Sequence, residues 1–176
     1  SRGVARAALA ARLIKAASTP GDLPVAGDWV AVIDAETMEV PLIEAVLPRT
    51  SAISRGDPDQ RSGAQILAAN VDTVFVVHPI AGPPNLRRIE RELTLAWNSG
   101  AVPVVVLTKV DLSADPEGAA AAVGAIAVGV DVLLVNALSD DSVAQLLTYL
   151  RNQRSAILLG PSGAGKSTLV KTLLGE

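Results

Sequence analysis

Gly160, Pro161, Ser162, Gly163, Ala164, Gly165, Lys166 and Ser167 have the types and spacing needed to cradle a phosphate. They fill the pattern G-x-x-x-x-G-K-[ST], with the apolar run Ala156 to Leu159 before it and a helical apolar pattern after it. Glycines are needed because the backbone must turn tightly and bring its N–H groups up to phosphate oxygens, an approach that side chains obstruct. Lys166 places a point positive charge on the terminal phosphates, and Ser167 offers a hydroxyl to Mg²⁺. The helix N-terminus adds its partial positive charge, and Thr168 continues the polar set.

A second candidate is "TKVD", in which Thr108, Lys109 and Asp111 follow the apolar run "VPVVVL". A carboxylate there can accept from guanine's N1–H and its exocyclic amino group, which adenine does not present in that arrangement, while a lysine stem can pack along the base. Four such residues also make a solvated turn with a capping Asp, so position after a buried strand and the phosphate loop favour guanine. The third candidate is "VNALS". Asn136, Ala137 and Leu138 look like the S-A-x loop of GTPases, whose alanine N–H meets guanine O6, with Asn136 where serine is usual. An ordinary strand-to-helix turn capped by Ser139 fits those residues equally well.

Strand ends must position these groups. "VDTVFVV" (71 to 77), "VPVVVLT" (102 to 108), "DVLLVNA" (131 to 137) and "SAILLG" (155 to 160) are short continuous apolar runs, as strands buried on both faces require. Helical patterns lie between them: one opened by Asn85 and closed by Gly100, an Ala-rich one from Pro116, and one capped by Ser139. The expected fold is α/β, an open parallel sheet with helices on both faces, which takes ligand beyond the carboxyl ends of its strands. Residues 1 to 57 read differently. "GDWVAVID" and "PLIEAVLPR" are β-prone runs among Gly, Pro and Asp, predicting a small antiparallel unit. Residues 1 to 18 fit strand and helix equally, 58 to 64 read as a polar linker, and the α/β domain is expected over 65 to 176.

Composition narrows the class. There is no cysteine, which excludes a disulfide framework or a cysteine-based zinc site within these residues. A formal charge of -3 gives no bulk attraction to nucleic acid. The Ala-rich beginning is interrupted by Arg6, Arg12 and Lys15, and no apolar run is long enough to span a membrane, so a cytoplasmic protein without membrane contact is expected.

A conventional GTPase carries its phosphate loop first and its guanine motifs last. Here the order is "TKVD", "NAL", then the phosphate loop, a circular permutation. Together with "GDWVAV", "PRTSAISR", "AANVDTVFVV" and "NLRRIERELTLAW", that order resembles the ribosome small-subunit-dependent GTPase family, RsgA (YjeQ), over roughly residues 20 to 176. The resemblance implies an oligonucleotide-binding (OB-fold) barrel, partial here, that contacts rRNA, followed by a permuted GTPase domain. It implies GTP or GDP with Mg²⁺ as ligands, late maturation of the small ribosomal subunit as function, and the subunit with its rRNA as partner. Family members continue through two switch segments and a zinc-binding domain. None is found before Glu176, so the chain is expected to be a fragment that binds nucleotide with little turnover, its catalytic residues and zinc lying elsewhere. Two other classes fit part of the pattern: a transporter-type ATPase, which shares "GPSGAGKSTL" but has no T-K-x-D, and an RNA-binding module with a degenerate nucleotide domain.

Other residues are less pointed. His78, the only histidine, reads as a satisfied turn residue, and Asp72 as structural. Arg49, Arg55 and Arg61, and Arg87, Arg88 and Arg91 on one helix, could meet RNA phosphates or simply form solvated faces.

Overall fold

The computed structural model describes residues 4–33, 40–55 and 65–175. The linker expected over 58–64, with Arg61, lies outside these residues, as does the side chain of Arg55.

The chain forms two compact units, Ser1–Asn70 and Val71–Glu176. The first contains β1 (Ala8–Leu9), α1 (Ala11–Ala16), β2 (Val30–Ile33), β3 (Leu42–Val46), β4 (Ala52–Arg55) and β5 (Gln65–Ala69). The ambiguity over residues 1 to 18 resolves as both elements, a two-residue strand followed by a six-residue helix. β2 pairs antiparallel with β3, and β4 antiparallel with β5, but β1 runs parallel to β3, so the unit is not wholly antiparallel. The division falls after Asn70 rather than near residue 64. The physical reason is the ladder between β4 and β5, which ties residues 65–69 to the first unit. A polar clamp holds the preceding loop. Arg49 meets the Asp28 carboxylate through Nε and Nη2, each at 2.7 Å, and donates to the carbonyls of Gly21 and Leu23 at 2.7 and 3.1 Å. The Arg49 side chain is 17% exposed and that of Asp28 1%, so this arginine is engaged by the fold rather than part of a solvated face.

The second unit is a four-stranded parallel sheet ordered β8-β7-β6-β9, with β6 (Thr73–Pro79), β7 (Val102–Thr108), β8 (Asp131–Val135) and β9 (Ala156–Leu159). α2 (Leu86–Ser99) and α3 (Pro116–Ile126) cross from β6 to β7 and from β7 to β8. α4 (Asp140–Ala144), extended by a 3-10 turn, leads back to β9, and α5 (Lys166–Leu174) follows it. Capping matches the residues. The side chain of Asn85 accepts from Arg88 N–H at 3.1 Å, and that of Asp115 from Gly118 N–H at 2.8 Å.

Alternation along the strands divides the core. Phe75, Val77, Val104, Val106 and Val135 pack with Val143, Leu146 and Leu169, so this face carries α4 and α5. Val74, Val76, Val105 and Leu107 point the other way, where α2 buries Ile89, Leu93 and Ala96 and α3 buries Val123. Such continuous burial is the signature of a parallel sheet covered on both faces. His78 lies within β6, not in a turn, and is 3% exposed. Its Nε2 meets Glu92 Oε2 at 2.6 Å, and Glu92 Oε1 accepts from Arg88 Nε at 3.0 Å. Burial works to raise the Glu92 pKa, and the hydrogen bonds from His78 and Arg88 outweigh it, leaving the carboxyl below its ordinary range. Asp72 accepts from Ser155 N–H at 2.8 Å and so joins the starts of β6 and β9.

Candidate functional site

The carboxyl ends of β7, β8 and β9 feed three loops that lie together. One cavity of about 210 Å³ is lined by Thr108, Lys109, Asp111 and Leu112 after β7, Asn136, Ala137 and Leu138 after β8, and Gly165 and Thr168 of the phosphate loop and α5. A second, of about 400 Å³, is lined by Lys109, Ser162, Gly163, Gly165, Lys166, Ser167 and Thr168. Lys109, Gly165 and Thr168 line both, so the two cavities adjoin. The loops after β7 and β8 stand on neighbouring strands, and the loop after β9, some 50 positions from that after β7, joins them across the intervening β6.

The phosphate loop takes its shape from backbone constraints. Gly160 has φ 142°, and a Cβ there would collide with the Val77 carbonyl of β6. Gly165, at φ 91°, is the N-cap of α5. Gly160, Pro161 and Ala164 do not line the cavities; they anchor the loop from below. The Lys166 ammonium folds back over the loop, donating to the carbonyls of Gly160 at 2.9 Å and Pro161 at 2.7 Å. An ammonium has three donors, so one is left for an incoming oxygen. The first-turn N–H groups of α5, including those of Lys166, Ser167 and Thr168, have no partner within their helix and supply further donors at the same end.

The loops after β7 and β8 are held by hydroxyls. Thr108 is fully buried, and its Oγ1 donates to the Ala164 carbonyl at 2.6 Å. This threonine ties the loop after β7 to the phosphate loop, so its hydroxyl is engaged by protein. Lys109 has a left-handed backbone, φ 61° and ψ 38°, which costs a non-glycine residue about 1 to 3 kcal/mol and turns the chain sharply out of β7. Asp111 sits exposed in the 3-10 turn Val110–Leu112. In the next loop Asn136 Oδ1 accepts from Leu138 N–H at 3.0 Å, and Asn136 N–H donates to Ser142 Oγ at 2.8 Å. Asparagine thus closes a tight turn with its own amide oxygen. Leu138 is 80% exposed at the rim.

Two contributors fall outside the motifs. Leu112 adds apolar wall to the smaller cavity. Thr172 of α5 donates to the Ala137 carbonyl at 2.8 Å. Leu169, Thr172 and Leu173 share one helical face, so a hydroxyl among the apolar positions was the one available sign.

The arrangement fits a magnesium-bound nucleotide in its donor set. Helix-end N–H groups and an ammonium are donors of the kind phosphate needs, Ser167 carries a hydroxyl of the kind a hard cation takes, and Asp111 offers acceptors beside an apolar wall. Among the described residues no helix is long and apolar enough to cross a membrane.

Comparison with known proteins gives the chain a family and its fold a match. The family model described as RsgA GTPase matches residues 46–176. The chain is 37% identical over 174 residues to Small ribosomal subunit biogenesis GTPase RsgA 2 of Lactiplantibacillus plantarum, covering 99% of this chain and 49% of that protein. It is 43% identical over 184 residues to Small ribosomal subunit biogenesis GTPase RsgA of Opitutus terrae, covering 100% of this chain and 50% of that protein. The crystal structure of YjeQ from Thermotoga maritima matches with TM-score 0.70 at 24% identity, over 94% of this chain and 55% of that one. The crystal structure of YloQ, described as a circularly permuted GTPase, matches with TM-score 0.61 at 23% identity, over 85% of this chain and 50% of that one. These two likenesses establish the fold, a permuted GTPase sheet. The chain spans about half the length of the curated relatives it matches. With that model matched over residues 46–176 and these relatives alike along almost the whole chain, the chain belongs to the RsgA GTPase family.

Proposed function

We propose that this chain supplies the guanine-nucleotide site of a cytoplasmic protein that binds GTP with Mg²⁺, hydrolyses it, and acts in maturation of the small ribosomal subunit in contact with its rRNA. The observation that carries the reading is the pair of adjoining cavities, one bounded by Asp111 and the Asn136–Leu138 loop, the other by the phosphate loop. In this reading Gly160 to Thr168 hold the phosphates, and Lys166 neutralises the terminal ones. Ser167 would hold Mg²⁺, which when bound supplies charge neutralisation between phosphate oxygens. Asp111 pairs with the base donors, and the Lys109 stem covers the ring. The names of the relatives support the step to ribosome assembly. For the first unit, rRNA contact rests on resemblance to the family.

Asp111→Asn tests the base assignment. A carboxylate only accepts, which suits guanine's two donors; asparagine brings an amide donor opposite guanine's amino group and leaves a mismatched pair. A bidentate base contact discriminates by about 1 to 3 kcal/mol. Affinity for GDP should therefore fall roughly ten- to a hundredfold, while affinity for XDP, whose oxygen accepts from the new amide, should rise. Titration of wild type and variant with GDP, XDP and ADP decides it. A variant that keeps its guanine preference, or a wild type that binds ADP as well as GDP, removes Asp111 from base recognition.

A further inference from the structure

The peptide groups on either side of Ala137 are fixed by the protein, and one donor between them is left free. The Asn136 carbonyl accepts from Ser139 N–H at 3.1 Å. A trans peptide carries its C=O and N–H in opposite directions, so the Ala137 N–H of that same unit is turned away from Ser139. The following peptide is held at both ends: Leu138 N–H donates to Asn136 Oδ1 at 3.0 Å, and the Ala137 carbonyl accepts from Thr172 Oγ1 at 2.8 Å. Among the described residues the Ala137 N–H has no acceptor, although Ala137 is 8% exposed and lines the smaller cavity. A poorly exposed backbone donor without a partner is uncommon, and one that lines a cavity is available to a ligand atom placed there.

Thr172 is the only one of these anchors that comes from another element. It lies six positions after Lys166 on α5, the helix whose first turn faces the phosphate cavity. Its hydroxyl therefore joins the loop that lines the base cavity to the helix that binds phosphate. We propose that Thr172 is a positioning residue for base selection: by holding the Ala137 carbonyl it aims the Ala137 N–H at the 6-oxo group of a purine, and so sets the preference for 6-oxopurine nucleotides. This deepens the guanine reading above and rests on it.

The test compares GDP, 6-thio-GDP and ADP on wild type, Thr172→Val and Thr172→Ser. 6-Thio-GDP keeps the two donors that face Asp111 and replaces only the 6-oxygen by sulfur, a weaker acceptor. Wild type should prefer GDP to 6-thio-GDP. Thr172→Val keeps the shape of the side chain and removes the donor, so GDP affinity should fall about fivefold, the share of one neutral hydrogen bond. Affinity for 6-thio-GDP should change less than twofold, so that the ratio between the two collapses. Thr172→Ser, which keeps the hydroxyl, should retain the wild-type ratio. If Thr172→Val does not fold, Thr172→Ala removes the same donor without the branched methyls and carries the same comparison. A variant that loses affinity for all three nucleotides in parallel, or keeps the wild-type ratio, overturns the inference and makes Thr172 a structural tether only. A wild type that does not prefer GDP to ADP overturns the guanine reading itself, and the inference with it.

Discussion

Replacing Thr108 by valine should unfasten the phosphate loop from below. Thr108 Oγ1 donates to the Ala164 carbonyl at 2.6 Å, and both residues are fully buried. Valine keeps the volume and the β-branch, so the packing of β7 is preserved and the hydroxyl is what changes. A neutral hydrogen bond contributes about 1 kcal/mol net, and a buried carbonyl left without its donor adds desolvation, so the loss should be about 1 to 3 kcal/mol. The assay is urea unfolding followed by tryptophan fluorescence. Trp29 and Trp97 are the only tryptophans, one in each unit, so a Trp29→Phe background makes the signal report the second unit. With a slope of about 2 kcal/mol per molar urea, a loss of about 2 kcal/mol lowers the midpoint by about 1 M without changing the slope. Thr108→Ser should recover most of it. A valine variant within about 0.5 kcal/mol of wild type would refute the reasoning, because a surface-like response is what a hydroxyl without a structural bond gives.

Two further outcomes follow from the same kind of geometry. Gly160→Ala forces a Cβ against the Val77 carbonyl at φ 142°, so β6 and β9 must separate locally; GDP affinity should drop at least about tenfold, and stability by about 2 to 4 kcal/mol. Gly163→Ala, with open space around the added carbon, should bring only the left-handed backbone strain of about 1 to 2 kcal/mol, and equal effects of the two substitutions in titration and unfolding would contradict the account. The first unit should lose stability in acid. Hydrogen bonds from Arg49 hold the Asp28 carboxyl below its ordinary 3.8, so its contribution is complete above that pH and is lost as pH falls through the lower folded value. In a Trp97→Phe background, Trp29 fluorescence should follow this loss below about pH 4, and Asp28→Asn should remove most of the pH dependence along with about 2 to 4 kcal/mol of stability; an unchanged acid profile would show that the clamp is not what holds this unit.

The features legible from residue order alone lie at short range. The strand, turn and helix start around Gly160–Ser167 were legible because glycines and the flanking apolar runs act through the local backbone. Helix caps at Asn85 and Ser139 and the apolar runs of β6 and β7 are likewise local, since burial on both faces demands continuous apolar residues, whereas the edge strands β8 and β9 are only half-buried. Motif order also lies in the sequence, which is why the permutation could be read without coordinates. The tertiary structure decided what depends on contacts between distant segments. The boundary after Asn70 follows from β5 pairing with β4, a ladder that no local pattern around residue 65 announces. Arg49 and Arg87 look alike in sequence, yet Arg49 is committed to Asp28 and two carbonyls while Arg87 is exposed on α2. Only the fold reveals that Thr108 spends its hydroxyl on Ala164, and that Thr172 reaches back 35 positions to Ala137. A hydroxyl can bond any acceptor that packing brings within about 3 Å, and composition and spacing along the chain do not contain that distance.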